Sequence, residues 1–449
     1  MKYKKILSKF KPKSDFTRNV LILLTGTTIA QVIPIVISPI LTRLYTPEDF
    51  GVLALFISIT SILGNIASGR YELAIMLPKK DGDAINIATL GIFITTVFSF
   101  ILLLIILFFH SYILNLLNNK EISPWLYSIP LVVFLTGLYN VLNYWNNRKK
   151  HYKNLAKASI LKSVVGSIIQ LILGFFKVGA TGLISGQIIS QMFVNGILLK
   201  NLIKEKVVLK KLNKSKIIIL GKKYKNFPLY SMPSGVINTL SLQLPILILS
   251  KYFDIKFIGM FSLSQRVLSL PISFIGSSVG QVFFQKASVS NAQELQILII
   301  NTIRKLFFLG LIPFSILLVY GDLIFSFIFG KNWLIAGYIS QILSVWLFIV
   351  FCVSPVSIIY DIKQKQKEAL IFNILLVIGR AGALILGAVF IKEFLYTIIL
   401  YAMVGTVLWI GNALYILSLV NVNISIFYKE FIYFFLVISI LFLFREVIL

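Results

Sequence analysis

Cysteine, histidine and acidic residues are all scarce in this chain. Its single cysteine, Cys352, excludes an intrachain disulfide framework. Two histidines beside that one thiol leave too few ligands for a zinc site, so no metal is expected. No G-x-x-x-x-G-K-[ST] run occurs, which excludes ATP hydrolysis by a P-loop in this chain, and no cofactor is expected. Charged residues amount to 13%, about half the usual share of a soluble protein.

Apolar residues fill the space. They make up 58% of the 449 residues, and the mean hydropathy is +0.91. That composition excludes a soluble enzyme and calls for the bilayer as solvent. The formal net charge of +27 could suggest nucleic acid, and the positive-inside rule offers the competing account.

A helix needs about 20 apolar residues to cross a bilayer. Twelve stretches qualify: 20–44, 47–76, 84–109, 122–146, 155–176, 179–203, 227–250, 256–285, 296–320, 333–360, 367–391 and 395–420, with a thirteenth candidate at 430–449. The first follows a basic tail over 1–19. It is longer than a signal-peptide core, holds Pro34 and Pro39, and reads as an uncleaved span. With the N-terminus inside, cytoplasmic segments hold 31 of the 43 Lys and Arg, and the opposite side holds 8. This bias fixes the orientation and accounts for most of the net charge without nucleic acid.

The loop 204–226 divides the chain into a first lobe at 20–203 and a second at 227–420, followed by a hydrophobic segment at 421–449. Pro39 to Tyr45, then Phe50-Gly51, echoes Pro245 to Tyr252, then Ile258-Gly259, at an offset of 206–208 residues. Two such halves, each with an even number of spans, imply parallel repeats. Ile217–Leu220 lies among lysines, which suits either the lipid interface or a solvated linker.

Several spans carry polar residues at steps of three and four, which places each set on one helix face. Such stripes include Ser262, Arg266, Ser269 and Ser273; Asn140 and Asn143; Gln187 and Gln191; Ser234, Asn238 and Ser241; and Ser58, Asn65, Ser68 and Glu72. Interhelical hydrogen bonding explains any one of them. Together they point to a hydrated interior. Arg266 and Arg380 lie deep in their spans, and Lys162 lies in the inner half of its own. A central Arg or Lys costs about 2.5–3.5 kcal/mol, and no carboxylate sits at comparable depth. The interior is therefore cationic and its natural ligand anionic; a guanidinium suits phosphate or carboxylate because its planar fork bonds two oxygens at once. Asp81-Gly82-Asp83 matches the D-x-D of sugar transferases but reads as a turn and N-cap. No outer loop is long enough for an extracytoplasmic catalytic site. Glu72 is the candidate for ion coupling. The expected fold is an all-α polytopic membrane protein of twelve core spans, in two six-helix lobes around a central cationic cavity.

Three segments resemble a known family. Arg43-Leu-Tyr-Thr-Pro-Glu-Asp-Phe-Gly51, Gly69-Arg-Tyr-Glu-Leu-Ala-Ile75, and Ser264-Gln-Arg-Val-Leu-Ser-Leu-Pro271 with Gly280-Gln-Val-Phe-Phe-Gln-Lys-Ala-Ser288 are similar to polysaccharide-biosynthesis flippases of the Wzx type. That family lies within the multidrug/oligosaccharidyl-lipid/polysaccharide exporter superfamily. The resemblance implies a transporter of the bacterial inner membrane. It would move an undecaprenyl-pyrophosphate-linked oligosaccharide, an O-antigen, capsule or exopolysaccharide unit, to the outer leaflet. An H+ or Na+ gradient would drive it and a polysaccharide polymerase would be a partner. Arg266 matches the family's arginine on the eighth span. The alternatives are a multidrug exporter of the same fold and a membrane polymerase or glycosyltransferase.

Overall fold

A computed structural model describes residues 15–205 and 209–448. The basic tail at 1–14, three residues of the linker and the last residue lie outside the described residues. Among those described there are helices and no strand. The long helices are α1 (Asp15–Leu44), α2 (Pro47–Ile66), α3 (Asp81–Leu117), α4 (Ile129–Arg148), α5 (Tyr152–Phe175), α6 (Ala180–Lys204) and the shorter α7 (Lys214–Lys223). They continue as α8 (Met232–Tyr252), α9 (Ile255–Pro271), α10 (Ser277–Ala287), α11 (Ala292–Phe329), α12 (Leu334–Val353), α13 (Gln366–Leu386), α14 (Phe394–Ser418) and α15 (Tyr428–Ile448).

Twelve helices among the described residues are long and apolar enough to cross a membrane. The final stretch is one of them, over Ile424–Glu446. The expected span at 122–146 is not, because α4 carries Asn140, Asn143, Asn146 and Asn147 within its 20 residues. Only 17% of the apolar window of α3 is buried inside the fold. Its outward Phe93, Phe100, Ile101 and Phe108 would form an untenable surface in water. In a bilayer they are simply solvated.

The span expected at 47–76 is shorter in the structure. Helix α2 stops at Ile66, and the chain turns through Gly69 (φ 60°) and Arg70 (φ 61°) into a single helical turn, Tyr71–Ala74. Consecutive left-handed residues cannot continue a right-handed helix. Apolarity runs on through Ile75, so hydropathy alone overshoots the break. Glu72 therefore lies beyond the helix that carries Ser58 and Asn65.

The described chain forms two compact units. One comprises Met1–Tyr45 and Leu55–Gln243, the other Thr46–Ala54 and Leu244–Leu449. In the first unit Trp145, Ile85, Ile87, Leu142 and Leu198 form a packed core. The linker helix α7 is folded onto that unit. Asn213 caps it, accepting from Lys216 N at 3.2 Å, while Asn86 accepts from Asn213 N at 2.9 Å and Tyr71 Oη donates to Gly221 O at 3.0 Å.

In the second unit, the start of α2 crosses α9 with backbones touching. A Cβ on Gly51 would lie 2.0 Å from Ile255 O, and one on Gly259 would lie 1.9 Å from Pro47 O. Residues 47 and 51 correspond to 255 and 259 at an offset of 208. The contact is reciprocal, so exchanging the two segments reproduces it. The echo seen in sequence is thus a local two-fold crossing that only glycine permits.

Two ion pairs tie α15 to α11. Arg304 Nε meets Glu430 Oε1 at 2.6 Å, and Arg445 Nη2 meets Asp322 Oδ2 at 2.6 Å. The pairs are 18 residues apart on α11 and 15 apart on α15, or about 27 and 22 Å at the helical rise. Tyr320 Oη also donates to Leu441 O at 2.8 Å. Helix α15 therefore runs parallel to α11 through an apolar layer close to the bilayer's hydrocarbon thickness of about 30 Å, with charges only at its two edges.

Candidate functional site

Two cations of the second unit stand apart from its ion pairs. Arg266 sits on α9, which is anchored to α12 by Ser264 Oγ donating to Ala336 O at 2.6 Å. Its side chain is half-buried and has no hydrogen-bond or ion-pair partner among the described residues. Just beyond it, Pro271 precedes a π-helical turn at Ile272–Gly276, before α10 resumes. Proline removes a backbone donor there, and irregular backbone at membrane depth is tolerated where protein or water covers it.

Arg380 on α13 is held by aromatic rings. Its guanidinium lies 5.0 Å from the Trp346 ring centroid and 5.2 Å from that of Tyr401. Nη2 donates to Tyr401 Oη, and Gln265 approaches the same hydroxyl. Trp346 and Tyr401 pack edge to face at 5.1 Å. Arg380 Nε and Trp346 Nε1 are both buried donors without a partner among the described residues. A cation over ring faces is stabilised by about 0.5–2 kcal/mol, less than an acid would supply. The group remains rich in donors and poor in acceptors, which suits an oxyanion.

In the first unit Lys162 on α5 lies over Tyr139 of α4, 5.3 Å from the ring centroid. Asn140 and Asn143 are half-buried on the same helix as Tyr139, without side-chain hydrogen bonds among the described residues. On α6, Gln187 is likewise half-buried. Gln191 and Asn195 both donate to Leu135 O, at 3.5 and 2.8 Å, and so hold α6 against α4. Asn238 on α8 is exposed. The structure thus brings Lys162 to Tyr139, while Gln191 is occupied with packing.

Glu72 is buried. Ser68 Oγ donates to one carboxylate oxygen, and Arg70 Nη1 approaches the other at 3.6 Å. Arg70 is thus paired with this acid. Asn65 reaches from α2 to α8, donating to Gly235 O at 3.3 Å and to Thr239 Oγ1.

Asp81 and Asp83 lie in the first turn of α3, where Lys80 is the capping residue. Asp81 accepts from Arg148 Nε at 3.0 Å and from Lys149 Nζ at 2.8 Å. Lys149 also meets Glu205 at 2.7 Å. Burial alone would pull the Lys149 pKa down, but the two carboxylates outweigh it and hold the ammonium above its usual range. The D-x-D motif is an electrostatic clamp between helix ends.

Residues 40–337 match a family described as polysaccharide biosynthesis protein. A succinoglycan biosynthesis transport protein, ExoT of Rhizobium meliloti (strain 1021), is 22% identical over 251 residues, 55% of this chain and 48% of that protein. The chain therefore matches about half the length of that relative. Among solved structures, the lipid II flippase MurJ in an inward closed conformation has a TM-score of 0.73 at 15% identity, with 95% of this chain and 93% of that one covered. An inward-facing multidrug resistance MATE family transporter of the MOP superfamily gives 0.65 at 14% identity, over 89% and 94% of the two chains. At these identities the likeness is one of fold.

Proposed function

Starting from the fact that this chain belongs to the polysaccharide biosynthesis protein family, we propose that it is a flippase for undecaprenyl-pyrophosphate-linked oligosaccharide. It takes its substrate at the cytoplasmic leaflet of the inner membrane, with its own N-terminus inside, and releases it at the outer one. The observation that carries this reading is Arg266, half-buried in its span with no acid or acceptor partner among the described residues. In the second unit the pyrophosphate docks on Arg266 and on the donors around Arg380; in the first, Lys162 is a separate candidate for the same anion. Asn140, Asn143, Gln187 and Asn238 offer amides to sugar hydroxyls, and Gln191 supports that face through Leu135. A multidrug exporter of cationic compounds would need a deep unpaired acid. Here Glu72, Asp322 and Glu430 each already face an arginine.

Energy comes from an H+ or Na+ gradient acting through Glu72. Protonation would release Arg70, whose left-handed backbone holds it beside the acid. In proteoliposomes loaded with lipid-linked oligosaccharide, transfer should ignore ATP and respond to an imposed gradient. Glu72→Gln should abolish that response while residual downhill flipping persists. Strict ATP dependence of the purified protein would overturn the proposal.

A further inference from the structure

The linker stretch 210–225 holds seven lysines and no acidic residue. Its helix α7 is fixed against the first turns of α3. Asn86 donates Nδ2 to Lys211 O at 3.1 Å, and a Cβ on Gly221 would lie 3.1 Å from Leu90 Cδ2. At about 100° per residue, Ile217, Leu220 and Gly221 share one face of α7, and all three are buried or half-buried. Ser215, Ile218, Ile219 and Lys222 share the opposite face and are exposed, the two isoleucines to 52% and 62%. Lys214 borders that face on one side, Lys216 and Lys223 on the other, and all three are exposed. Lys216 approaches Asp83 at 3.9 Å. Lys214, Lys222 and Lys223 have no ion-pair partner among the described residues.

A helix washed by water on its outer side centres that side on polar and charged residues. The outer side of α7 is instead centred on two isoleucines, with lysines on both flanks. That is the order of a helix lying in a lipid interface. Its apolar centre enters the boundary between headgroups and acyl chains, and its lysine stems run along that boundary so that the ammonium groups reach phosphates. The position of α7 along α3 agrees. Helix α3 buries Ala84, Ile85, Ile87 and Ala88, and its first exposed side chain is Phe93, one turn beyond Leu90. Helix α7 thus lies at the level where α3 enters the apolar layer. We infer that α7 docks its outer face on anionic phospholipid of the adjoining leaflet, of the phosphatidylglycerol class. Charge selects this occupant, because a lysine run without an acid is drawn to a surface of negative potential and a zwitterionic surface offers no net charge to meet it. Depth favours a membrane over an acidic protein, which would satisfy the lysines from the aqueous side but not cover isoleucines level with the start of the α3 span. The inference needs only that α3 crosses a bilayer, and it stands apart from the identity of the transported substrate.

The test uses the full-length protein with Cys352→Ser and Ser215→Cys, carrying an environment-sensitive fluorophore at position 215, in nanodiscs of phosphatidylcholine alone or mixed with phosphatidylglycerol. In the mixed discs the emission should shift to the blue and be quenched by a lipid bearing a nitroxide at the top of its acyl chain. In phosphatidylcholine alone both changes should shrink severalfold. A lysine near an anionic surface is worth about fivefold in binding, so Lys214→Gln, Lys222→Gln and Lys223→Gln together should abolish the dependence on phosphatidylglycerol. Ile218→Gln with Ile219→Gln should return the probe to water in both discs. All five of these side chains are exposed, so both variants should keep the parent's thermal midpoint. Should either fail to fold, the comparison of the two discs with the parent protein decides the matter. Equal quenching in the two discs, or quenching undiminished by either set of changes, would overturn the inference. So would a probe that stays in water on the mixed discs and leaves it only when an acidic protein is added.

Discussion

The two edges of α11 and α15 differ from the middle of the same unit in how they treat arginine. At the edges, Arg304 and Arg445 each meet a carboxylate at 2.6 Å. Deeper in, Arg380 is given two aromatic rings, and Arg266 has no partner among the described residues. A cation that serves the fold is neutralised by the fold. One that must receive an anion has to stay unneutralised until the anion arrives, and rings or water can hold it meanwhile without competing for the site. Under the proposed function, the difference is the one expected between charges that serve the fold and charges that receive the substrate.

The largest effect expected is at a paired edge. Asp322→Ala leaves Arg445 uncompensated and should cost about 3–5 kcal/mol of stability, read as a fall in folded yield and in the thermal midpoint. The double change Asp322→Leu with Arg445→Met removes both charges and should recover most of that loss, because well-packed apolar replacements of a buried pair are often neutral. Failure to recover would mean that Gln341, which donates to Asp322 Oδ1 at 3.0 Å, carries the stability instead.

Arg380 should behave in the opposite manner. Arg380→Met removes its contacts with two rings and should cost only about 0.5–2 kcal/mol, yet flipping per folded molecule should fall at least as far as binding of pyrophosphate requires. Stability loss as large as at Asp322 would place Arg380 among the structural charges. A smaller effect still is expected at Tyr139→Leu, which takes away the ring beneath Lys162. Folding should change by about 1 kcal/mol or less, and flipping should fall modestly, since the ammonium itself stays.

Much of this division can be read in the sequence, and its limits are physical. Hydropathy places the spans because each helix must be apolar over the bilayer's width, and depth along a span exposes Arg266 and Arg380 as costly. The Gly51 and Gly259 echo is legible because a backbone crossing demands the same residue twice. Partners are not legible. Asp322 and Arg445 are 123 residues apart, and Tyr401 reaches Arg380 from the next helix, so packing alone brings them together. Trp346 and Tyr401 look like ordinary apolar filling, and no spacing marks them as the rings that hold a cation. The break at Gly69-Arg70 is hidden by the apolar residues beyond it, though a glycine beside a charged residue was its one visible sign.

Arg266 bears most directly on the claim that the unneutralised cations receive the substrate's phosphates. Outer-leaflet exposure of lipid-linked oligosaccharide, divided by the amount of folded transporter, should be abolished in Arg266→Ala, partly restored in Arg266→Lys and lowest in Arg266→Glu. Lysine keeps the charge but loses the bidentate fork, and glutamate sets a negative charge against the pyrophosphate. Near-normal exposure per folded molecule in Arg266→Ala would contradict the account.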